Sequence, residues 1–455
     1  MTYERLDKNK KALYKKLAVV AVPIALQSLI GSSLNLVDNL MVGSLGETEL
    51  AAVGVGVQIY TLFYLFIYGF ASGCSTFMAQ FWGSGNVKGI KKAMGFTFVV
   101  CFSIGILFFL AAEFFPEKIM RIFTNIPEVI AIGKVYIQTC APSFLLMPFN
   151  QSFEISLRAT QQTHLPLIAS IAAFCTNTLL NYILIFGHFG APALGVKGAA
   201  TATVIARIIQ LSILLFIVFA RKNIVAGTPR EYFGWTPDFR KRVLRNSIPT
   251  TLNESLWSLG TSMYVAAFAR VGITEYAAVQ AGNTIQNVFI MAAFSLSDAA
   301  LILVGQKLGQ KKPDEAVILT KKLLRIGAFI GFIFGLVLIA VARPLISLFD
   351  FTPLGEKYTF YILIVLGLTM ALPVYNVMIV SGVLRAGGDT KFAMLGETGT
   401  IWLYAVPVAF ITALYLHWPI YFCILAVKGE EVIKCAIMTA RVISKKWVKN
   451  VVTDL

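Results

Sequence analysis

"VPIALQSLIGSSLNLVDNLMVGSLGETELAAVGVG", residues 22–56, is written a second time as "IPTTLNESLWSLGTSMYVAAFARVGITEYAAVQAG", residues 248–282. Pro23 falls on Pro249, Gly46 on Gly272, and Ala51-Ala52-Val53 on Ala277-Ala278-Val279, each 226 residues apart. The register persists downstream. Gln80 and Gly83 of "MAQFWGSG" fall on Gln306 and Gly309 of "LVGQKLGQ" at the same offset. "LRATQQT" then falls on "LRAGGDT", Arg158 on Arg385 and Thr163 on Thr390, at 227. A constant offset over several landmarks in the same order marks an internal duplication.

Each copy is oily. Of 455 residues 57% are hydrophobic and 14% charged, and mean hydropathy is +0.75; soluble domains carry about 25% charged residues. Apolar runs near 17–43, 51–80, 93–115, 130–156, 163–187, 195–220, 246–269, 277–305, 323–348, 358–383, 392–415 and 418–440 are each long enough to span a bilayer, which takes roughly 20 residues. The expected fold is an all-α polytopic membrane protein. It has about twelve transmembrane helices in two pseudo-symmetric six-helix bundles. Six spans per copy is an even number, so both copies enter from the same side as parallel repeats. The division is an N-lobe over 1–220, a basic linker over 221–245 and a C-lobe over 246–455. No alternating ten-residue segments of a β-barrel are present. The basic N-terminus is followed by an apolar run too long for a signal peptide, so the first span is expected to be retained.

The formal charge is +16, but its placement argues against nucleic acid. Of 39 Lys and Arg, 29 fall on the termini and alternate connections, and 7 on the opposite set. The positive-inside rule then puts both termini in the cytoplasm of a cell-membrane protein. The six Cys sit in apolar runs without paired spacing, and the three His are scattered, so no metal or disulfide framework is expected. No acid, metal or nucleophile cluster points to an enzyme, and no cofactor is expected.

The polar residues inside the spans carry the functional information. A charge at membrane depth costs roughly 2.5–3.5 kcal/mol on insertion scales, so it is normally turned inward and kept for a task. Asn35, Asp38 and Asn39 share one face of the first helix by their i, i+3, i+4 spacing. Asn177 and Asn181 share a face of the fifth span, and the sixth offers Thr201 and Thr203. One carboxylate with amide and hydroxyl oxygens suits Na⁺, and the same buried acid suits H⁺. Pro23 frees a carbonyl about four residues earlier and supplies a hinge. In the second copy, Glu254 lies just past Pro249. Asp298 and the amides Gln280, Asn283, Gln286 and Asn287 follow on the eighth span, and Trp257 adds an aromatic face suited to organic cations. Arg158, Arg385, Asp389 and Lys391 read as fixing short turns. Nothing in the sequence pattern explains Glu430 and Glu431 in the last span.

The paired "QxxG" and "LRAxxxT" motifs, with "NTLLNYILIFG…PALGVKGAATAT" in the first copy, make the chain resemble the multidrug and toxic compound extrusion (MATE) family over roughly residues 15–440. The resemblance implies an antiporter that exports small organic, often cationic, compounds in exchange for H⁺ or Na⁺ by alternating access. It places a cation or proton site on Asp38, Asn177, Asn181 and Thr203, with Asn35 alongside and Na⁺ as a possible ligand of Asp38. Asn181 stands where the family often has a second acid, so the site holds a single carboxylate. Glu254, Asp298, Gln280, Asn283, Asn287 and Trp257 are the candidate substrate-cavity residues. The expected partners are the substrate and the lipid bilayer, and the expected state is a monomer. The alternative is a lipid or lipid-linked oligosaccharide flippase of the same two-lobe layout.

Overall fold

Helix α1 (Tyr3–Gly43) runs unbroken through Pro23. The ring removes the N–H that would bond the carbonyl of Val19, and that carbonyl accepts instead from Thr163 Oγ1 at 3.0 Å. The last residue of "LRATQQT" thus repairs the defect that Pro23 creates, which ties two motifs of the sequence to one contact. Past the proline, Ser28 and Ser32 donate back to Ile24 and Ser28 carbonyls at 3.1 Å each. Such back-bonds bend helices.

The computed structural model describes residues 3–347, 349, 351–453 and 455, with side chains from Leu13 onward. Two compact units emerge, Ala18–Ser247 with Leu455, and Ile248–Asp454 with Met1–Leu17.

In the first unit, α2 (Glu47–Ser84), α3 (Val87–Phe114), short α4 (Pro116–Phe123), α5 (Pro127–Cys140), α6 (Pro142–Ala159), α7 (His164–Phe186) and α8 (Val196–Leu215) follow α1. The expected single span 130–156 is a broken one: α5 and α6 meet at 45°. Pro142 opens α6, and a proline cannot continue the hydrogen-bond ladder of the helix before it. The basic segment 221–245 is docked on this unit. Its short α9 (Pro229–Phe233) carries a Thr228/Glu231 capping box. Lys91 pairs with Glu231 at 3.0 Å, and Trp235 Nε1 donates to the Lys92 carbonyl at 2.9 Å. A Cβ on Gly95 would lie 2.2 Å from the Tyr232 carbonyl oxygen, so glycine is what lets this segment lie against α3.

The second unit repeats the plan with α10 (Pro237–Ala269, most of it here), α11 (Ile273–Gly309), α12 (Pro313–Ile346), α13 (Pro353–Thr369), α14 (Ala371–Val377), α15 (Thr390–Thr400), α16 (Val406–Phe410) and α17 (Ile420–Ile443). The break recurs in the same place: α13 and α14 meet at 52°, with Pro373 just beyond the junction. A π-helical turn, Ile401–Ala405, joins α15 to α16, and a second, Ile411–Tyr415, extends α16. Pro407 accounts for the first, since it withholds the N–H that would bond residue 403. Asp389, in the turn before α15, takes Arg441 Nε at 2.6 Å, Arg441 Nη2 at 3.1 Å and Lys449 Nζ at 3.0 Å. Burial works to raise its carboxyl pKa, but these two cations outweigh it and hold the group below its ordinary value.

Among the described residues, eight helices are long and apolar enough to cross a bilayer, and ten when each bent pair counts once. The remaining two of the twelve expected spans are α10 and α17. Each carries several charged residues, including Glu254 in α10 and Lys428, Glu430, Glu431 and Lys434 in α17. The apolar pattern is therefore interrupted by charge on these two helices, where Glu254 pairs with Arg385 and Lys434 with Glu430.

Candidate functional site

Four of the residues singled out in the first unit form one hydrogen-bonded chain. Asn181 Nδ2 donates to Asp38 Oδ1, and also to Asn177 Oδ1 at 3.0 Å. Asn177 Nδ2 donates in turn to Thr203 Oγ1 at 3.4 Å. Thr203 donates back to the Ala199 carbonyl at 3.1 Å. The chain runs from α1 through α7 to α8. Helical spacing makes it possible, because Asn177 and Asn181 sit one turn apart on the same face. Close packing of α7 on α8 makes it reach: a Cβ on Gly198 would meet the Leu184 carbonyl oxygen at 2.4 Å. Asp38 is half-buried, and Asn177 and Asn181 are fully buried. Both amide groups of the pair face acceptors, which fixes their orientation and leaves Asn181 Oδ1 buried without a partner. A buried orphan acceptor costs about 1–3 kcal/mol, and it lies beside a carboxylate. This oxygen-rich arrangement suits one small cation or one proton. Asn35, by contrast, is exposed and outside the chain.

One layer nearer Pro23, the structure assembles a second polar cluster that the sequence reading left unnoticed. Glu154 of α6 is 8% exposed. Its Oε2 accepts from Gln27 Nε2 at 2.9 Å, and its Oε1 accepts from Gln210 Nε2 at 2.9 Å. Arg158 lies 3.7 Å from the same carboxylate and donates to Gln27 Oε1 at 2.6 Å. Arg207 donates to Gln210 Oε1 at 2.9 Å and lies over the Tyr60 ring. Arg158 therefore does more than shape a turn: it grips α1 through Gln27, one turn past the proline. The available signal was Glu154 and Arg158 at i, i+4 in "FEISLRA", an acid inside an apolar run with its counter-charge already on the same face.

The second unit holds the counterpart of this cluster in a different chemistry. Arg385 Nη2 donates to Glu254 Oε1 at 2.5 Å, with the side chains 1% and 7% exposed. At the 226 offset Gln27 falls on Asn253 and Ser28 on Glu254, so Arg385, the counterpart of Arg158, holds the residue one place further along its helix than Arg158 does. Asn253 Nδ2 donates to Glu397 Oε2 at 2.7 Å. Asn376 Nδ2 donates to the Glu431 carbonyl at 2.8 Å, as Asn150 Nδ2 does to the Arg207 carbonyl at 3.4 Å. Lys434 Nζ sits among Glu430 at 2.6 Å, Glu431 at 3.7 Å and Glu397 at 3.8 Å. Glu430 and Glu431, unexplained in sequence, are members of this cluster. The connection before α17 is shorter than the one before α8, so the two helices correspond at an offset of 224, the difference between their first residues Val196 and Ile420. With that shift, Lys434 stands where Gln210 stands in the first unit and Glu431 where Arg207 stands. The place of Asp38, Asn177, Asn181 and Thr203 is taken by Tyr264, Tyr404, Val408 and Val427. The Asp38 chemistry is not repeated.

The remaining candidates are dispersed. Glu254 is committed to Arg385. Trp257 is half-buried and meets Phe294 edge-on at 6.5 Å. Gln280 is exposed and bonds Tyr276 at 2.6 Å. Asn283 and Asp298 are half-buried on α11, and Asn287 is exposed there. Among the described residues no group of three or more His, Cys, Asp or Glu is set to hold a metal ion.

These observations define an integral membrane protein of duplicated helical bundles with buried ionisable groups in each. The MatE family model matches residues 23–183 and 247–434, and the chain belongs to that family. The relatives it resembles include the probable multidrug resistance protein YoeA of Bacillus subtilis, 28% identical over 421 residues, 90% of this chain and 89% of the other. The probable multidrug resistance protein NorM of Thermotoga maritima is 24% identical over 445 residues, 96% and 94% of the two chains. The multidrug resistance protein MdtK of Yersinia enterocolitica is 26% identical over 409 residues, 88% of each. Among solved structures, a MATE protein in its straight conformation superposes with a TM-score of 0.86 at 17% identity, covering 95% of this chain and 97% of that one. The fold is thereby that of a MATE transporter, in agreement with the two-bundle expectation.

Proposed function

We propose that the protein is a secondary active antiporter of the cell membrane, with both termini cytoplasmic, which exports small organic, often cationic, compounds in exchange for H⁺ or Na⁺. The observation that carries the reading is the Asp38–Asn181–Asn177–Thr203 chain linking α1 to α7 and α8. A cation or proton arriving at Asp38 removes its net charge and changes which hydrogen bonds it can make. Asn181 then has a different partner to satisfy, and its free Oδ1 becomes a ligand for the ion or an acceptor for the acid proton. The change falls on a helix whose ladder is already interrupted at Pro23 and bent by two serine back-bonds. Pro23 is the hinge about which α1 answers. Ligands shift a conformational balance only through differential affinity, so ion and organic cargo must prefer different forms of α1. The names of the relatives support small organic cargo, and a single chain with both lobes supports action as a monomer.

The test is efflux of a cationic dye from proteoliposomes under separately imposed pH and Na⁺ gradients. Wild type is expected to couple to one of the two gradients, and Asp38→Asn to lose that coupling while still reconstituting. Undiminished gradient-driven efflux in Asp38→Asn contradicts the reading. Lipid scrambling without dye efflux points instead to a flippase.

A further inference from the structure

Lys434 is 3% exposed and stands in the middle of a set of carboxylates. Glu430, Glu431 and Glu397 approach its Nζ at 2.6, 3.7 and 3.8 Å from two different helices. Its counterpart in the first unit, Gln210, is neutral and bonds a single carboxylate, Glu154. The extra acids and the ammonium therefore occur together in one half of the duplication and are absent together from the other. Two buried amides complete the wall. Asn253 and Asn376 each donate to one of these carboxylates, which fixes their orientation, and each leaves its Oδ1 buried with no partner. Both side chains are at least nine-tenths buried. Three carboxylates from two helices thus gather on one ammonium, and two buried amides bonded to two of those carboxylates each keep an oxygen without a partner. Here the cation is part of the protein.

We propose that Lys434 is a built-in cation. Its ammonium fills a C-lobe site that a mobile monovalent cation such as Na⁺ would otherwise occupy, so Glu397, Glu430 and Glu431 take no Na⁺ from solution and coupling is left to the N-lobe. The second half of the ion account is closed in the same way, because Glu254 is neutralised by Arg385 at 2.5 Å. The idea rests on the antiport reading of Asp38, and it assigns a stoichiometric consequence to it: a carrier with Lys434 in place moves a single cation per cycle.

The test is equilibrium binding of ²²Na⁺ to purified full-length protein. In an Asp38→Asn background with Lys434 intact, no Na⁺ binding sensitive to Glu430→Gln is expected. Adding Lys434→Ala should create a stoichiometric Na⁺ site, which Glu430→Gln removes and which Lys434→Arg does not create. NaCl should also raise the melting temperature of Lys434→Ala relative to choline chloride and leave wild type unmoved, a response that loss of a merely structural ion pair does not produce. A folded Lys434→Ala protein that binds no Na⁺ overturns the proposal. So does Glu430-sensitive Na⁺ binding while Lys434 is present, a result readable even if Lys434→Ala fails to fold. Na⁺ binding in the Asp38→Asn protein that Glu430→Gln leaves untouched counts against the Asp38 reading instead, so the two failures are separable.

Discussion

Replacing Arg385 by Met tests whether the C-lobe ion pair acts as the buried unit the structure shows. The guanidinium is 1% exposed and the Glu254 carboxylate 7% exposed, 2.5 Å apart. Water cannot take over from the missing partner. Removing one member of such a pair costs about 3–5 kcal/mol, because the other charge is left buried and uncompensated. For a unit of 150–250 residues each kcal/mol is worth roughly 2–4 °C, so Arg385→Met should lower the melting temperature by about 6–20 °C. Glu254→Gln alone should cost a similar amount. The double variant Arg385→Met/Glu254→Gln should recover most of the loss, since replacing both members with groups of similar size is often neutral. The assay is thermal unfolding of detergent-purified protein, followed by intrinsic fluorescence and by monodispersity. Additive losses in the double variant would show that the two residues do not act as a pair, and so would an Arg385→Met protein as stable as wild type.

Four further outcomes follow from other contacts. Thr163→Val should remove the bond that repairs the Pro23 defect and cost about 1 kcal/mol, the usual net worth of a hydrogen bond, read as a small fall in melting temperature. Gly198→Leu should push α7 from α8, because even a Cβ there meets the Leu184 carbonyl oxygen at 2.4 Å; gradient-coupled efflux should fall with the separation of Asn177 from Thr203. Glu154→Gln should destabilise by about 1.5–3 kcal/mol, the worth of hydrogen bonds to a charged group, and Glu154→Asp should recover part of it in the same unfolding assay. Asp389 has its pKa depressed in the folded protein by Arg441 and Lys449 against the effect of burial. Its contribution is therefore present above the ordinary carboxylate pKa of about 3.9 and lost as pH falls through the folded value. Asp389→Asn should flatten that acid limb of stability and leave neutral-pH coupling intact.

Much of the fold was legible because the bilayer imposes a crude code. Apolar runs of span length gave the helices, and the repeat gave their grouping. The breaks between α5 and α6 and between α13 and α14 were less visible. Pro142 and Pro373 lie inside apolar runs, and hydropathy does not register a bend. In the first unit, Asp38, Asn177 and Asn181 stood out in the sequence as polar residues on helical faces inside apolar runs, Thr203 was reached through the family resemblance, and packing joins all four by hydrogen bonds. Glu154 did not stand out, although it sat in plain view in "NQSFEISLRA", because Arg158 four residues later drew the segment toward the turn. The Lys434 cluster was hidden for a different reason. Its acids come from Glu397 on one helix and Glu430 and Glu431 on another, and only packing brings them to one ammonium. The shorter connection before α17 also shifted the repeat register, which concealed the match of Lys434 to Gln210. Asn35 illustrates the converse: it shares a face with Asp38 by spacing, yet it is exposed and takes no part in the hydrogen-bonded chain.

In the proposed cycle one cation at Asp38 and the organic cargo oppose each other through α1. Linkage makes that opposition measurable at equilibrium, because antagonism between two ligands must appear in either one's affinity. The measurement is the affinity of purified protein for a fluorescent cationic dye, titrated against pH at fixed Na⁺ and against Na⁺ at fixed pH. Dye binding by wild type should weaken as the coupling cation rises, and Asp38→Asn should bind the dye with no dependence on it. An Asp38→Asn protein that keeps the wild-type dependence would rule out Asp38 as the coupling site.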